Sequence, residues 1–393
     1  MARGVLLAGL VLACACAFFV SQAGASTPLS TPDTPIPGKT DNGFLARCAA
    51  LPEGDQVDCY VRQFLQLIDR SGNPATELPR IDALVHAQGG YIQAACHPLM
   101  HIVGRDWAKQ HHLTLANLYR YVPRSNDPGC SAGFGMGMTM YLGPTLIVNP
   151  RSVLKTCDRL PTRFRRYTCV HGSGHAFMRG FHSQLSDAVH ACRTLGPTNA
   201  PDCAQGAYHD YWISLGGGDD TTRPKDAATS PRAVCGGVEF VRPCWYRFFW
   251  ERDSGTHVRH ASDMLRLCKG VSGFQRAGCM SGASLMMSRE LEPVDHAREC
   301  GKLAGTDTLN CLRGVDVPLL VSNRFEELRL IRTCADLPLT TRWGCFSWFG
   351  RTLTVVTDGK FRRAGCSALG TIHERVTCVA GAKRMNEPLR TFS

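Results

Sequence analysis

The sequence lacks the signatures of several large classes of protein. Beyond residue 25 no run of apolar residues reaches the roughly 18 that a membrane-spanning helix requires. The HExxH motif of zinc proteases, the CxxCH motif of haem attachment and the glycine fingerprint of dinucleotide-binding folds do not occur. Lys and Arg outnumber Asp and Glu by 44 to 33, but they are scattered and form no basic run of the kind that binds nucleic acid. We therefore expect no transmembrane span in the mature chain, no haem, flavin or nucleotide cofactor, and no nucleic-acid partner.

Cysteine, by contrast, is abundant, since the 393 residues include 20 of them. Disulfides on that scale are typical of exported proteins. Val5–Val20 is apolar and Ala23-Gly24-Ala25 has the small-x-small form of a cleavage site, so residues 1–25 are predicted to be a secretory signal. A lipoprotein acylated at Cys14 or Cys16 is the alternative, disfavoured because apolar residues continue past both. The predicted location is the periplasm or the extracellular medium.

Composition divides the chain into five predicted segments. They are the signal at 1–25, a Pro/Thr/Ser-rich tether at 26–43, N-terminal helical-hairpin modules at 44–212, a flexible polar loop at 213–234 and C-terminal helical-hairpin modules at 235–393. The centre of the polar loop, residues 216–232, is interpreted either as disordered or as a lid.

Eighteen cysteines remain after the signal, and most fall into pairs 9 to 12 positions apart that recur about every 33 residues. We predict a disulfide within each pair, which joins Cys48 with Cys59, Cys157 with Cys169, Cys192 with Cys203, Cys235 with Cys244, Cys268 with Cys279, Cys300 with Cys311, Cys334 with Cys345 and Cys366 with Cys378. Cys96 and Cys130 are left over and are predicted to pair with each other, joining two modules. The alternative is that first cysteines of successive modules are linked.

The residues that flank the cysteines predict helical hairpins. Several first cysteines are soon followed by Pro or Gly, as in Cys157-DRLP and Cys192-RTLG, and these residues stop helices. The first cysteine then lies at the end of one helix and the second near the start of the next. Glycine three positions after many second cysteines would let neighbouring helices approach closely. The predicted fold is all-α, a right-handed α-solenoid of disulfide-stapled αα-hairpins.

Histidines follow the repeat cysteines in the N-terminal half. His97 and His101, and likewise His171 and His175, stand four positions apart, which places both rings of a pair on one helix face. His209 lies six positions after Cys203, as His175 lies six after Cys169, and Asp210 follows it. Equivalent positions of stacked modules face each other, so we predict one metal site. Its ligands would be His97, His101, His171, His175, His209 and Asp210. The alternative is that these histidines cap helices or fill the core.

The kind of metal stays open at this point. Imidazole and carboxylate ligands suit zinc, iron or copper, and Met136 and Met138 would be soft ligands favouring copper. The alternative for both methionines is gap-filling in the core.

Four motifs resemble a family of secreted or membrane-attached prokaryotic proteins that has no assigned reaction. That family shows C-H-x-x-x-H-x-x-G, C-x-x-G-x-x-H-G-x-x-E, C-x-H-G-x-G-H-G and C-x-x-G-x-x-x-E in this order. The matching segments, within residues 80–212 and about a third of the chain, are Cys96-HPLMHIVG, Cys130-SAGFGMGM, Cys169-VHGSGHAFM and Cys203-AQGAYHD. The resemblance implies that the histidines have a function without naming one.

The chain departs from the family pattern in the second motif. Met136 stands where the family has histidine and Met140 where it has an acid, whereas Asp210 matches the acid of the fourth motif. A metal site of the family type would therefore be weakened, altered or lost here, with His209 as a replacement ligand.

Three hypotheses about function remain. The first is an exported metalloprotein with the histidine site and an unassigned reaction. The second is a non-catalytic solenoid whose surface binds a peptide, a glycan or a protein partner. The third is sequestration or delivery of copper or zinc. Whether the protein is an enzyme cannot be read from the sequence.

Overall fold

The structure is a computed structural model. It describes residues 42–125, 127, 129–215, 230–236, 239–251, 257–291, 293–312, 314, 334, 337, 342, 345–346, 366–367 and 369–383. The predicted signal, the tether up to residue 41 and residues 216–229 of the predicted loop lie outside this set.

Every regular element among the described residues is a helix, which confirms the all-α prediction. Besides a short 3-10 turn at Pro150–Val153, the helices are α1 Asn42–Ala49, α2 Glu53–Ser71, α3 Pro74–Gln88, α4 Gly90–Gln110, α5 Leu115–Tyr121, α6 Cys130–Tyr141, α7 Gly143–Leu146, α8 Leu154–Cys157, α9 Arg163–Gly180, α10 Leu185–Arg193, α11 Ala200–Leu215, α12 Pro231–Cys235, α13 Val241–Glu251, α14 Ala261–Leu267, α15 Gly273–Glu290, α16 Pro293–Gly301, α17 Thr306–Leu312 and α18 Ile372–Lys383. Within these residues no helix is both long and apolar enough to cross a bilayer.

All nine predicted disulfides are present, so the alternative linkage between first cysteines is wrong. The long-range bridge joins Cys96 to Cys130. The eight local bridges join Cys48 to Cys59, Cys157 to Cys169, Cys192 to Cys203, Cys235 to Cys244, Cys268 to Cys279, Cys300 to Cys311, Cys334 to Cys345 and Cys366 to Cys378.

Local bridges staple one helix to the next, and in most of them a short helix is joined to a longer one. Cys192 lies near the end of α10, and Cys203 lies in the first turn of α11. Cys268 likewise directly follows the last residue of α14, and Cys279 lies in the first half of α15. The cysteines therefore hold the two helices of a hairpin together at the turn, as the sequence predicts.

The longer helices pack side by side in chain order. The order of contact is α4 with α6, α6 with α9, α9 with α11, α11 with α13, and α13 with α15. Helices α6 and α9 are buried around nearly their whole circumference, so they form the centre of this row. This packing supports stacked hairpins, whereas the right-handed solenoid winding stays a prediction.

Glycines set how closely these helices approach. A Cβ on Gly133 of α6 would lie 2.2 Å from the carbonyl oxygen of His97 on α4, and one on Gly137 would lie 2.2 Å from that of His101. Real Cβ atoms essentially never come this close to a carbonyl oxygen, so only glycine fits at either position. Residue numbers rise together along the two helices at these contacts, so α4 and α6 run parallel. Their backbones touch beside the histidines.

A glycine also allows α9 and α11 to approach at backbone distance. A Cβ on Gly206 would lie 2.0 Å from the carbonyl oxygen of His171. Thr162 begins α9 as its N-cap, its side chain accepting a hydrogen bond from the backbone N–H of Arg165 at 3.1 Å. Helix α9 therefore begins at a fixed residue and packs against its neighbour at backbone distance, which fixes the height and direction of the side chains it carries.

Candidate metal centre

Five histidines from three helices converge. His97 and His101 come from α4, His171 and His175 from α9, and His209 from α11. The ring centroids are 4.7 Å apart for His175 and His209, 5.0 Å for His101 and His175, and 6.3 Å for His97 and His209. The convergence of all five predicted histidines is what the module register led us to expect.

Burial favours the neutral form of three of these rings. His101, His171, His175 and His209 are each at most 4% exposed, and His97 is half-buried at the edge of the cluster. Burial holds the pKa values of His101, His171 and His209 well below the ordinary value. The charge of Arg247 contributes in the same direction. Neutral imidazole is the form that binds metals.

His175 is oriented by the predicted carboxylate. Its Nδ1 lies 3.2 Å from Oδ1 of Asp210, and both side chains are almost fully buried. With Nδ1 facing Asp210, Nε2 is the nitrogen of His175 that is left to bind a metal. That Nε2 is buried and has no hydrogen-bond partner among the described residues, and neither has Oδ2 of Asp210. A buried nitrogen lone pair without a partner is costly unless something binds there.

His209 is oriented by a residue that the sequence analysis missed. Its Nε2 lies 2.9 Å from Oε1 of Glu251 on α13, and Glu251 is also 3.5 Å from the guanidinium of Arg247. The carboxylate accepts from Nε2–H, which leaves Nδ1 of His209 unprotonated. A carboxylate behind a histidine in this way is typical of metal sites, because it fixes the ring and raises its basicity.

The third ring, His171, is backed by a phenol. Its Nδ1 lies 3.4 Å from the hydroxyl of Tyr167, which donates to Oε1 of Gln205 at 2.6 Å. Burial raises the pKa of Tyr167 to about 12, so the hydroxyl keeps its proton. With Nδ1 on the side of the tyrosine, Nε2 of His171 points towards the other rings.

The inward nitrogens of the three histidines lie close together. Ligand atoms of His171, His175 and His209 all lie within 4.8 Å of one another, and Nε2 of His171 is 3.4 Å from Nδ1 of His209. Two nitrogens bound tetrahedrally to zinc at about 2.0–2.1 Å are about 3.3–3.4 Å apart. The spacing of His171 and His209 therefore equals that of two ligands on one ion, and His175 is close enough to be a third ligand after a small shift.

His97 and His101 form a second pair beside this triad. Their Nε2 atoms are 3.2 Å apart, the distance of an N–H···N hydrogen bond and also of two ligands on one metal ion. Because His97 is the most exposed of the five, the pair is the part of the cluster nearest to solvent.

The two predicted soft ligands are buried on α6, between α4 and α9. Met138 belongs to the hydrophobic core, and the backbone of Met136 lies next to Gly172 of α9. A role for either sulfur in binding metal stays a prediction.

The register of the repeat contained a signal for Glu251. It stands seven positions after Cys244, as Asp210 stands seven after Cys203. The register that identifies His209 uses the position six after the cysteine, which in this module is Trp250.

A second group of potential ligands, His296, Cys300 and Cys311, is not a metal site in the oxidised protein. Its ligand atoms also lie within 4.8 Å of one another, but the two cysteines are bonded to each other. A disulfide offers no thiolate, and the thiolate is the ligand form of cysteine.

Comparison of the chain with protein-family models, with curated proteins and with solved structures finds no match. The likeness of residues 80–212 to the exported family described above therefore rests on the four motifs alone.

Proposed function

We propose that the protein is an exported, disulfide-stapled helical metalloprotein whose metal is held by His171, His175 and His209. The observation that carries the proposal is the arrangement of the three rings. Each has a polar partner on its outer nitrogen, namely Tyr167, Asp210 and Glu251 respectively, and ligand atoms of the three lie within 4.8 Å of one another. A core-filling histidine needs partners for both nitrogens, which His175 does not have.

Zinc is the metal we expect. The donors are imidazoles, and the spacing of the His171 and His209 nitrogens equals the edge of a tetrahedral zinc site. Three protein ligands would leave one coordination position, next to His97 and His101, for water or a substrate. The reaction stays unassigned. Export is part of the proposal because nine disulfides are typical of oxidising compartments.

The test is elemental analysis of the full chain, produced with its disulfides formed and exposed in turn to zinc, copper and iron. We expect about one zinc per chain in the wild type and less than a tenth of that in the His171→Ala/His175→Ala variant. The matched control is His111→Ala/His190→Ala, which removes two exposed histidines outside the cluster and should bind zinc like the wild type.

A wild type that binds no metal, or that binds as much as the triad variant, would contradict the proposal and favour a non-catalytic binding surface. One copper per chain in preference to zinc would favour copper sequestration or delivery instead.

A further inference from the structure

The two histidine pairs continue into one longer motif. Arg105 follows His101 by four positions, and Arg179 follows His175 by four, so α4 and α9 share the pattern H-x3-H-x3-R. Side chains four positions apart lie on the same helix face, about one turn or 5.4 Å further along. Each pair of histidines therefore has an arginine one turn beyond it.

The fold brings together the two helices that carry these arginines. Helices α4 and α9 both pack against α6, and the rings of His101 and His175 are 5.0 Å apart. The charge of Arg179, on α9, contributes to the lowered pKa of His101 on α4, after burial and the neighbouring histidines. The side chain of Arg105 is only 18% exposed, and its Nε donates to Oδ1 of Asp106 at 3.0 Å.

A divalent ion bound by histidines alone keeps its positive charge. Imidazole binds a metal in its neutral form, so three histidine ligands add no negative charge to the ion. The carboxylates of Asp210 and Glu251 face the outer nitrogens of His175 and His209. Partly buried charge of one sign attracts a counter-ion.

We propose that Arg105 and Arg179 form an anion subsite beside the metal, so that the ligand or substrate of the site carries a phosphate or carboxylate group. This inference rests on the proposed metal function. One oxygen of the group takes the metal's remaining position and the others are bound by the guanidinium groups, whose planar fork suits both oxyanions. Arg247 has a different role: it lies against Glu251, behind His209, and holds the ligand sphere.

The experiment is calorimetric titration of the zinc-loaded full chain with inorganic phosphate and, separately, with acetate. The variant Arg105→Gln/Arg179→Gln should bind the preferred anion at least tenfold more weakly than the wild type. The control Arg159→Gln/Arg266→Gln removes the same charge at two exposed arginines and should change the affinity by less than twofold. Zinc content is measured for every variant.

Tighter binding of phosphate identifies a phosphate-bearing ligand, and tighter binding of acetate identifies a carboxylate. If the double glutamine variant loses zinc, Arg105→Lys/Arg179→Lys replaces it, since lysine keeps the charge without the fork and should still weaken binding several-fold. Full zinc content with binding of neither anion, or wild-type anion affinity in both double variants, would overturn the subsite and leave the metal proposal standing. Absence of zinc from the wild type would overturn the metal proposal itself.

Discussion

Replacing Gly206 by alanine should separate the two helices that carry the metal triad. The added Cβ would lie 2.0 Å from the carbonyl oxygen of His171, whereas ordinary contact begins at 3.4 Å. Helices α9 and α11 must therefore move apart by roughly 1 Å or more to restore van der Waals distance. The spacing of 3.4 Å between the His171 and His209 nitrogens would widen beyond the tetrahedral edge. Overpacking of this kind costs about 1–3 kcal/mol, partly offset by the better helix propensity of alanine, about 1 kcal/mol.

We expect Gly206→Ala to lower the free energy of unfolding by up to about 2 kcal/mol and zinc affinity by at least tenfold, or about 1.4 kcal/mol. Unfolding by denaturant with the disulfides intact gives the first value, and competition with a chromophoric chelator gives the second. Gly54→Ala on α2 is the matched control, because a Cβ there meets no atom within 4 Å. It should leave zinc affinity unchanged and stability equal or slightly higher. Wild-type zinc affinity and stability in Gly206→Ala would refute the claim that this backbone contact sets the site.

Three further changes test the electrostatics of the interior. Glu251→Gln should weaken zinc binding about 10- to 100-fold in the chelator assay, because His209 loses a charged partner; unchanged affinity would show that Glu251 does not tune the site. Burial, followed by the charge of Asp127, raises the pKa of Asp82 to about 7. The protonated Asp82 side chain therefore contributes fully to the free energy of unfolding below pH 4, and this contribution is lost as the pH rises through 7. Asp82→Asn should therefore be more stable than the wild type at pH 8, by up to about 4 kcal/mol, and no gain in denaturant unfolding would contradict the shift. Burial lowers the pKa of His296 to about 3, so its neutral form stabilises the fold above about pH 6.5 and that contribution is lost as the pH falls. Between pH 7 and pH 4 the free energy of unfolding should fall by about 3 kcal/mol less in His296→Gln than in the wild type. Denaturant titrations at the two pH values measure both decreases, and equal decreases in the two proteins would show that His296 is not desolvated.

The hairpins could be predicted because their information is local. Each short cysteine pair spans only 9 to 12 positions with a helix stop inside it, so both helix ends and the bridge are determined within one stretch of chain. Pairing Cys96 with Cys130 needed only elimination, since no other cysteine was left. The winding of successive hairpins depends instead on small rotations between modules, which no local pattern records.

The site was predicted as far as the module register reaches. His209 was found because it occupies the same repeat position as His175. Glu251 was missed because it lies one position beyond the register that His175 and His209 share, at the place that Asp210 has in its own module. Tyr167 could not be predicted from the repeat, because it precedes the cysteine from which the register is counted. Its position beside His171 depends on the packing of α9 against α11, where its hydroxyl donates to Gln205.

The disulfide between Cys96 and Cys130 explains how a glycine-rich helix can pack beside the histidines. Helix α6 contains three glycines in twelve residues, which costs about 3 kcal/mol of helix stability relative to alanine. Two of them, Gly133 and Gly137, are required where the backbone of α4 passes at His97 and His101. The bridge from Cys96 to Cys130 closes a separation of 34 residues, worth about 4 kcal/mol by the chain-entropy model. The bridge joins the residue before His97 to the first residue of α6. It therefore offsets the loss of helix stability that the glycines cause, and it does so where α6 contacts α4. The two cysteines that break the local pairing rule are therefore a consequence of building a histidine site between two modules.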